Sequence, residues 1–435
     1  MSWEQYQVYK DSGIDWLGEI PAHWEIKRAK TLLREINKPS LLGDEILLSV
    51  SEYTGVRPRS EILDEGDYLT RADSLQGYKR CEPGDLIMNI MLAWKRGQGI
   101  APCAGIVSPA YAVYRPIARR IDSRYTHYLV RSDEYVGLFG TWSYGVIPSR
   151  WRLYPEVFLR LPLLLPPFSE QRAIAAFLDR ETKRIDTLIV KKERQIELLQ
   201  EKEAALISRA VTKGLDRTAK MRDSGVEWIG EMPSHWEVKP LKRVLKVVRG
   251  KFSHRPRNDP RFYDGQYPFI QTADIVAARK YIRNYQQTLN EDGMSVSKMF
   301  PRGTLVMSIA ANIGDMGILD FDACFPDSIV GFIPSKLVDL NYCYYSLLSL
   351  KSELLSTATL NTQLNINVDR IGTIRMIVPP KQEQSYIADF LDMQEQETVN
   401  MISRIRQSVQ LLEEYRTALI SAAVTGKIDV SEEVA

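Results

Sequence analysis

Two short sets of ionisable residues have the types and spacing of a metal-dependent hydrolase. Asp15, Glu25 and Lys27 stand in "DWLGEIPAHWEIK", and Glu227, Glu237 and Lys239 repeat the arrangement in "EWIGEMPSHWEVK". Paired carboxylates could hold Mg²⁺ and a lysine could assist attack by water, so a nuclease is one reading. The match is loose, because aspartate in one copy is glutamate in the other. The competing reading makes these residues exposed polar neighbours of packed Trp16, Trp24, Trp228 and Trp236. Other chemistries lack their residues: the chain has no GxxxxGK[ST] phosphate loop, no GxGxxG after a strand, no DxDxDG loop and no GxSxG elbow. Its cysteines, Cys81, Cys103, Cys324 and Cys343, form no CxxC pair, and its four histidines form no HExxH pattern. Buried free thiols and no metal are expected.

A second chemistry is ionic and requires no catalysis. "VRGKFSHRPRNDPRF" (248–262) sets Arg249, Lys251, Arg255, Arg257 and Arg261 against the single Asp259, with aromatic residues between them. The first half offers Lys79 and Arg80 in "YKR", Lys95 and Arg96 in "WKRGQG", and Arg150 and Arg152 in "WSYGVIPSRWR". "TLNTQLNIN" (359–367) adds Asn361, Gln363 and Asn365 without an aliphatic stripe of helical period. Lysine and arginine neutralise phosphates, while arginine, asparagine and glutamine read base edges in the major groove. Net charge over the 435 residues is only +2, so a nucleic-acid surface has to arise from such local clusters. A basic loop is otherwise a solvated surface; the occurrence of clusters in both halves favours binding.

The elements that position these residues come in two copies. "DSGIDWLGEIPAHW" (11–24) returns as "DSGVEWIGEMPSHW" (223–236), 212 positions later. "PPFSEQRAIAAFLD" (166–179) returns as "PPKQEQSYIADFLD" (379–392), and "ALISRAVTKGLD" (205–216) as "ALISAAVTGKID" (418–429), both 213 positions later. Weaker pairs lie between: "PGDLIMNI" (83–90) with "RGTLVMSI" (302–309), and "SPAYAVYRP" (108–116) with "PDSIVGFIP" (326–334). A period this long is an internal duplication rather than a solenoid, and it predicts pseudo-two-fold symmetry. At the centre, the end of one repeat runs straight into the start of the next. The chain termini hold the same material cut apart, so joining them would recreate the central junction.

Each copy reads as a globule followed by a long helix. After Pro166-Pro167, Ser169 is the expected N-cap with Glu170 in the first turn, and no Gly or Pro follows until beyond Arg209. Leu178, Ile185, Ile189, Ile196, Leu199 and Leu206 recur at alternating steps of three and four, with Thr182, Lys192 and Glu203 as polar exceptions. Leu391, Ile402, Ile405, Val409, Leu412 and Leu419 form the same seam in the second copy, with Thr398 and Arg416 polar. A helix of about 40 residues is roughly 60 Å long, and two of them pair as an antiparallel coiled coil. The middle sections, about Glu25 to Leu165 and Glu237 to Val378, alternate short apolar runs with turn residues and helical stretches. The fold class is therefore α/β (mixed α+β) globules in two copies separated by long helices. Expected boundaries are 1–165, 166–216, 217–378 and 379–435. No run of eighteen apolar residues and no signal peptide is visible, which leads us to expect a cytoplasmic protein.

With this order of motifs the chain resembles the specificity subunit of type I restriction-modification enzymes. The resemblance rests on the "DSGIDWLGEIPAHWEIKR" opening, the "PPFSEQRAIAAFLD" helix starts and the "ALISRAVTKGLD" helix ends, in duplicated and circularly closable order, and covers almost the whole chain. It implies a non-catalytic DNA-recognition protein, whose globules are target-recognition domains each binding half of a split, asymmetric site on double-stranded DNA. It also implies helices that act as spacer and docking platform for two modification subunits, joined by two restriction and translocation subunits. S-adenosylmethionine, ATP and Mg²⁺ would be bound by those partners and none by this chain. The resemblance does not locate base-reading residues, so the basic and amide residues named above stand as candidates. The alternatives are a coiled-coil scaffold without a DNA role and the nuclease.

Overall fold

The computed structural model describes residues 3–62, 74–117, 120–147, 150–254, 258–309, 313–351, 353 and 368–430. Two compact units divide the chain: Met1–Lys192 with Arg406–Ala435, and Glu193–Ile405. The cut passes through both long helices, Phe168–Lys213 and Lys381–Val424, so each unit holds the first half of one and the second half of the other.

The first unit opens with a hairpin in which Tyr9–Asp11 pairs antiparallel with Glu19–Pro21. Glu25–Arg28 then pairs with Pro162–Leu165, so the globule's first and last strands meet immediately before the long helix. Between them lies a four-stranded antiparallel sheet in the order Leu33–Glu35, Tyr111–Pro116, Leu86–Asn89 and Gln98–Ile100. Two small sheets, Lys79–Cys81 with Gly105–Val107 and Leu48–Ser51 with Gly55–Pro58, are added to it. Helices Ser123–Arg131 and Asp133–Trp142 follow the last of these strands.

The second unit repeats this order. Met221–Asp223 pairs with Glu231–Pro233, and Glu237–Pro240 pairs with Arg375–Val378. The central sheet has five strands, Leu245–Arg249, Ile329–Pro334, Leu305–Ser308, Met316–Leu319 and Tyr281–Ile282. The weakly similar sequence pairs occupy equivalent central strands, and their register is kept: Tyr114 faces Leu86 as Phe332 faces Leu305. A further four-stranded sheet, absent as such from the described part of the first unit, consists of Gln287–Leu289, Tyr263–Phe269, Ala323–Cys324 and Met299–Phe300.

The largest apolar core of each unit joins globule to helices, because the helix seams bury the same face that the globule offers. In the first, Met88, Tyr114 and Phe139 of the globule join Leu163 and Leu164, and then Leu178, Ile185, Leu419 and Ala423 of the helices. In the second, Met307, Tyr342 and Ile377 join Val211, Trp236, Ile387 and Leu391. The helix halves run antiparallel in each unit. Arg416 Nε pairs with Asp186 Oδ1 at 3.0 Å while Ala423 packs back towards the start of the first helix. In the second unit Leu199 and Lys202 lie beside Met401 and Ile405, and Glu203 lies near Glu395. All twelve expected seam residues are buried or half-buried, and the polar exceptions Thr182, Lys192, Glu203, Thr398 and Arg416 sit on the same face.

The first long helix starts two residues earlier than expected. Ser169 lies inside the first turn, and Gln171 N–H already bonds the Pro167 carbonyl, so Pro167 is the last non-helical residue. Both helices end on a glycine in the left-handed conformation, Gly214 at φ +74° and Gly426 at φ +75°, which other residues adopt only at a cost. The four cysteines are free; Cys81, Cys324 and Cys343 are buried and Cys103 half-buried. No described helix is long and apolar enough to cross a membrane.

Candidate nucleic-acid interface

A carboxylate and an amide at the start of each long helix hold the globule and its entry segment in place. Glu170 accepts hydrogen bonds from Trp24 Nε1 at 2.8 Å and Tyr6 Oη at 2.5 Å, and its other oxygen lies 2.8 Å from His23 Nε2. Gln171 is buried beside it: its amide donates to the carbonyls of Pro166 and Arg120, and its oxygen accepts from Asp122 N. Asp122 in turn caps helix Ser123–Arg131 by accepting from Arg124 N and Tyr125 N. The second unit makes the same set. Glu383 bonds Trp236 Nε1 at 2.9 Å and His235 Nε2 at 2.8 Å, and Gln384 binds Asp339 N, Leu337 O and Pro379 O. Asp339 caps helix Leu340–Ser349.

Buried donors have to be paired to avoid a cost of about 1–3 kcal/mol each, so this network fixes one angle between globule and helix. The sequence marks Glu170 only as a helix-dipole partner; the shared "EQ" of "FSEQR" and "KQEQS" is the signal that could have revealed the anchor.

The basic candidates of the first globule separate into two sites. Lys95, Arg150 and Arg152 are exposed and gather around two tryptophans. Lys95 Nζ lies 4.9 Å above the Trp94 ring, and the Trp94 and Trp151 rings meet edge-to-face at 5.7 Å. Arg152 pairs with Tyr144 through both backbone hydrogen bonds of a bridge, which leaves Trp142, Tyr144, Val146 and Ile147 facing solvent beside it. Cations with exposed aromatic rings can neutralise phosphates and stack on bases.

Lys79 and Arg80, by contrast, lie on the strand Lys79–Cys81. Lys79 Nζ donates to the Tyr111 carbonyl at 2.7 Å, and Arg80 pairs with Glu45 at 3.0 Å. Arg96 is held too, at φ +59°, donating to the Arg131 carbonyl and pairing with Asp133. Beneath it half-buried Arg131 donates to the carbonyls of Ser51, Glu52, Tyr53, Arg96 and Gln98, and burial lowers its pKa to about 10.

In the second globule Arg249 and Lys251 are exposed on either side of buried Gly250, where a Cβ would meet the Pro326 carbonyl at 2.2 Å. Arg249 Nε donates to the Asp327 carbonyl at 2.6 Å. Between Lys251 and Arg261, Phe252 packs with Phe262, Tyr263 and Phe269, and Arg261 pairs with Asp259. Arg255, Arg257, Asn361, Gln363 and Asn365 lie outside the described residues.

The nuclease set is not assembled into a metal site. Lys27 Nζ pairs with Glu25 at 3.0 Å and Lys239 with Glu237 at 2.5 Å, each along one strand. Among the described residues no three His, Cys, Asp or Glu side chains are grouped to hold a metal ion.

Fold and surface together describe a duplicated recognition scaffold, two differently faced globules on one repeated helical frame. Residues 233–411 match the family model of the type I restriction modification DNA specificity domain. Over 98% of its length the chain is 24% identical to the type I restriction enzyme MjaVIII specificity subunit of Methanocaldococcus jannaschii, and covers 98% of that protein. A structure determined for the assembly and conformational transition of the type I R-M system superposes with a TM-score of 0.73 at 15% identity, covering 93% of this chain and 98% of that one. The HsdS subunit from Thermoanaerobacter tengcongensis gives 0.55 at 16% identity, covering 94% and 98%. Over nearly its whole length the chain is thus similar in sequence to specificity subunits of type I restriction-modification systems, and it shares the fold of the solved ones.

Proposed function

We propose that the chain reads double-stranded DNA in two pieces, one per globule, and directs the methylation and restriction carried out by partner subunits. The observation that carries this reading is the repeated Glu–Gln anchor, Glu170-Gln171 and Glu383-Gln384, which seats both globules through equivalent tryptophan, histidine and helix-cap partners while their outward residues differ. An equivalent anchor beneath a different face suits two unlike half-sites, hence an asymmetric target. The long helices act as the spacer, so that only half-sites at one separation are bound together, by the geometry that governs dimeric repressors. Their matching starts and ends offer a docking surface to two modification subunits, with two restriction subunits joining the complex. Lys95, Arg150 and Arg152 with Trp94 and Trp151 serve the first half-site, and Arg249 and Lys251 the second.

Sequencing of methylated bases in the host genome tests the proposal. A two-part motif with an unspecified spacer and one modified adenine per strand is expected. Exchanging residues 25–165 for those of another specificity subunit should change one half of the motif and leave the other intact. A motif indifferent to that exchange would refute it.

A further inference from the structure

The two entry segments are not filled alike. In the first unit Tyr6 is 9% exposed, its hydroxyl on Glu170 and its ring against His23 and Trp24 at centroid distances of 5.6 and 5.9 Å. The backbone bonds Ala22 N to Val8 O and Ser234 N to Lys220 O are equivalent, and they align Tyr6 with Thr218. Thr218 is too short to reach the helix start and bonds Asp216 instead, at 2.7 Å. What remains beside Trp236, His235 and Glu383 is a cavity of about 460 Å³, with Leu215, Ala219, Pro233 and Ile387 supplying an apolar wall. Glu383 is 39% exposed where Glu170 is 9%. Tyr386 stands at the cavity edge, 58% exposed.

We infer that this cavity in the second unit is a seat for the tyrosine side chain of an extended segment from a partner polypeptide. The first unit supplies the chemical precedent within the same chain. A phenol hydroxyl donates to the glutamate, the ring meets the indole and imidazole at steep angles, and the flanking Trp3 packs edge-on to Phe177 at 4.9 Å. Glu383 keeps its bonds from Trp236 and His235 but lacks the third donor that Glu170 receives. Aromatic residues with a polar tip are the preferred anchors of protein interfaces, since they bury large area and satisfy one polar group. The seat lies wholly within one unit and does not depend on how DNA is read. A chain with one seat plugged and one open presents inequivalent surfaces to otherwise equivalent partners.

The probe is a fluorescein-labelled, amidated copy of residues 3–8, "WEQYQV", titrated with the full chain and followed by anisotropy. Binding is expected. Replacing the peptide tyrosine by phenylalanine should weaken it about tenfold, the loss of one hydrogen bond to a charged acceptor. In the chain, Thr218→Tyr should abolish binding by filling the seat from within, while raising the melting temperature, which shows that the variant folds. Absence of binding, equal binding of the phenylalanine peptide, or binding unchanged by Thr218→Tyr would overturn the inference. A concentration-dependent dimer that Thr218→Tyr removes, measured by light scattering, would assign the seat to a second copy and overturn the partner assignment.

Discussion

The indole of Trp24 donates to the carboxylate of Glu170 at 2.8 Å across 146 positions of sequence, and Trp236 repeats the bond to Glu383 at 2.9 Å across 147. The entry segment of each globule is thereby tied to the first turn of the helix that leaves it.

Removing the carboxylate has different consequences in the two units. Glu170→Ala strands the Trp24 N–H and Tyr6 O–H in a buried site, so about 2–5 kcal/mol of unfolding free energy should disappear. Glu383→Ala exposes its partners to water more readily and should cost about half as much. Urea unfolding of the two variants checks the order, and a larger effect for Glu383→Ala would contradict it.

The helix-ending glycines should respond unequally to a methyl group. A left-handed conformation costs a non-glycine residue about 1–2 kcal/mol at either site. At Gly426 the new Cβ would also meet Pro21 Cδ at 2.4 Å, whereas at Gly214 the nearest atom is Trp236 Cζ2 at 3.0 Å. Gly426→Ala should therefore lower the melting temperature more than Gly214→Ala, as calorimetry can show.

Glu203 introduces a pH dependence. Burial and the nearby Glu395 raise its pKa above the ordinary carboxylate value. The folded chain holds this proton more tightly than the unfolded chain. Its stabilising share is complete below the ordinary value of about 4.3 and is lost as pH rises through the raised folded pKa. The melting temperature of Glu203→Gln relative to the parent should climb from about pH 4 to neutrality; a constant difference would argue against the coupling.

For DNA binding by the assembled complex, salt dependence separates side chains that touch phosphate from those that support the fold. Lys95→Ala, Arg150→Ala and Arg152→Ala combined should flatten the slope of log K against log salt by up to about 0.9 for each phosphate these cations neutralise. Lys79→Ala should leave the slope alone and instead cost about 0.5–1.5 kcal/mol of stability, because its ammonium serves the Tyr111 carbonyl.

Much of the fold was legible in the sequence because it rests on local repetition. The duplication, the seam from Leu178 to Leu206 and its copy from Leu391 to Leu419, and the central strands Leu86–Asn89 and Leu305–Ser308 follow from periodicity and turn residues within short windows. The closure of the two ends was foreshadowed by the duplicated order, but that the division into units would cut both long helices was decided by tertiary structure alone. Asp429 N–H bonds the Glu4 carbonyl, and Gly426 closes on Pro21 and Trp24, so the two chain ends meet without a covalent join. Tertiary structure also separated exposed Lys95, Arg150 and Arg152 from Lys79 and Arg96, which the same charge and the same aromatic neighbours had grouped in one class. The reason is physical: periodicity reports which face of an element is apolar, whereas the acceptor that a lysine or tryptophan finds can lie more than a hundred residues away.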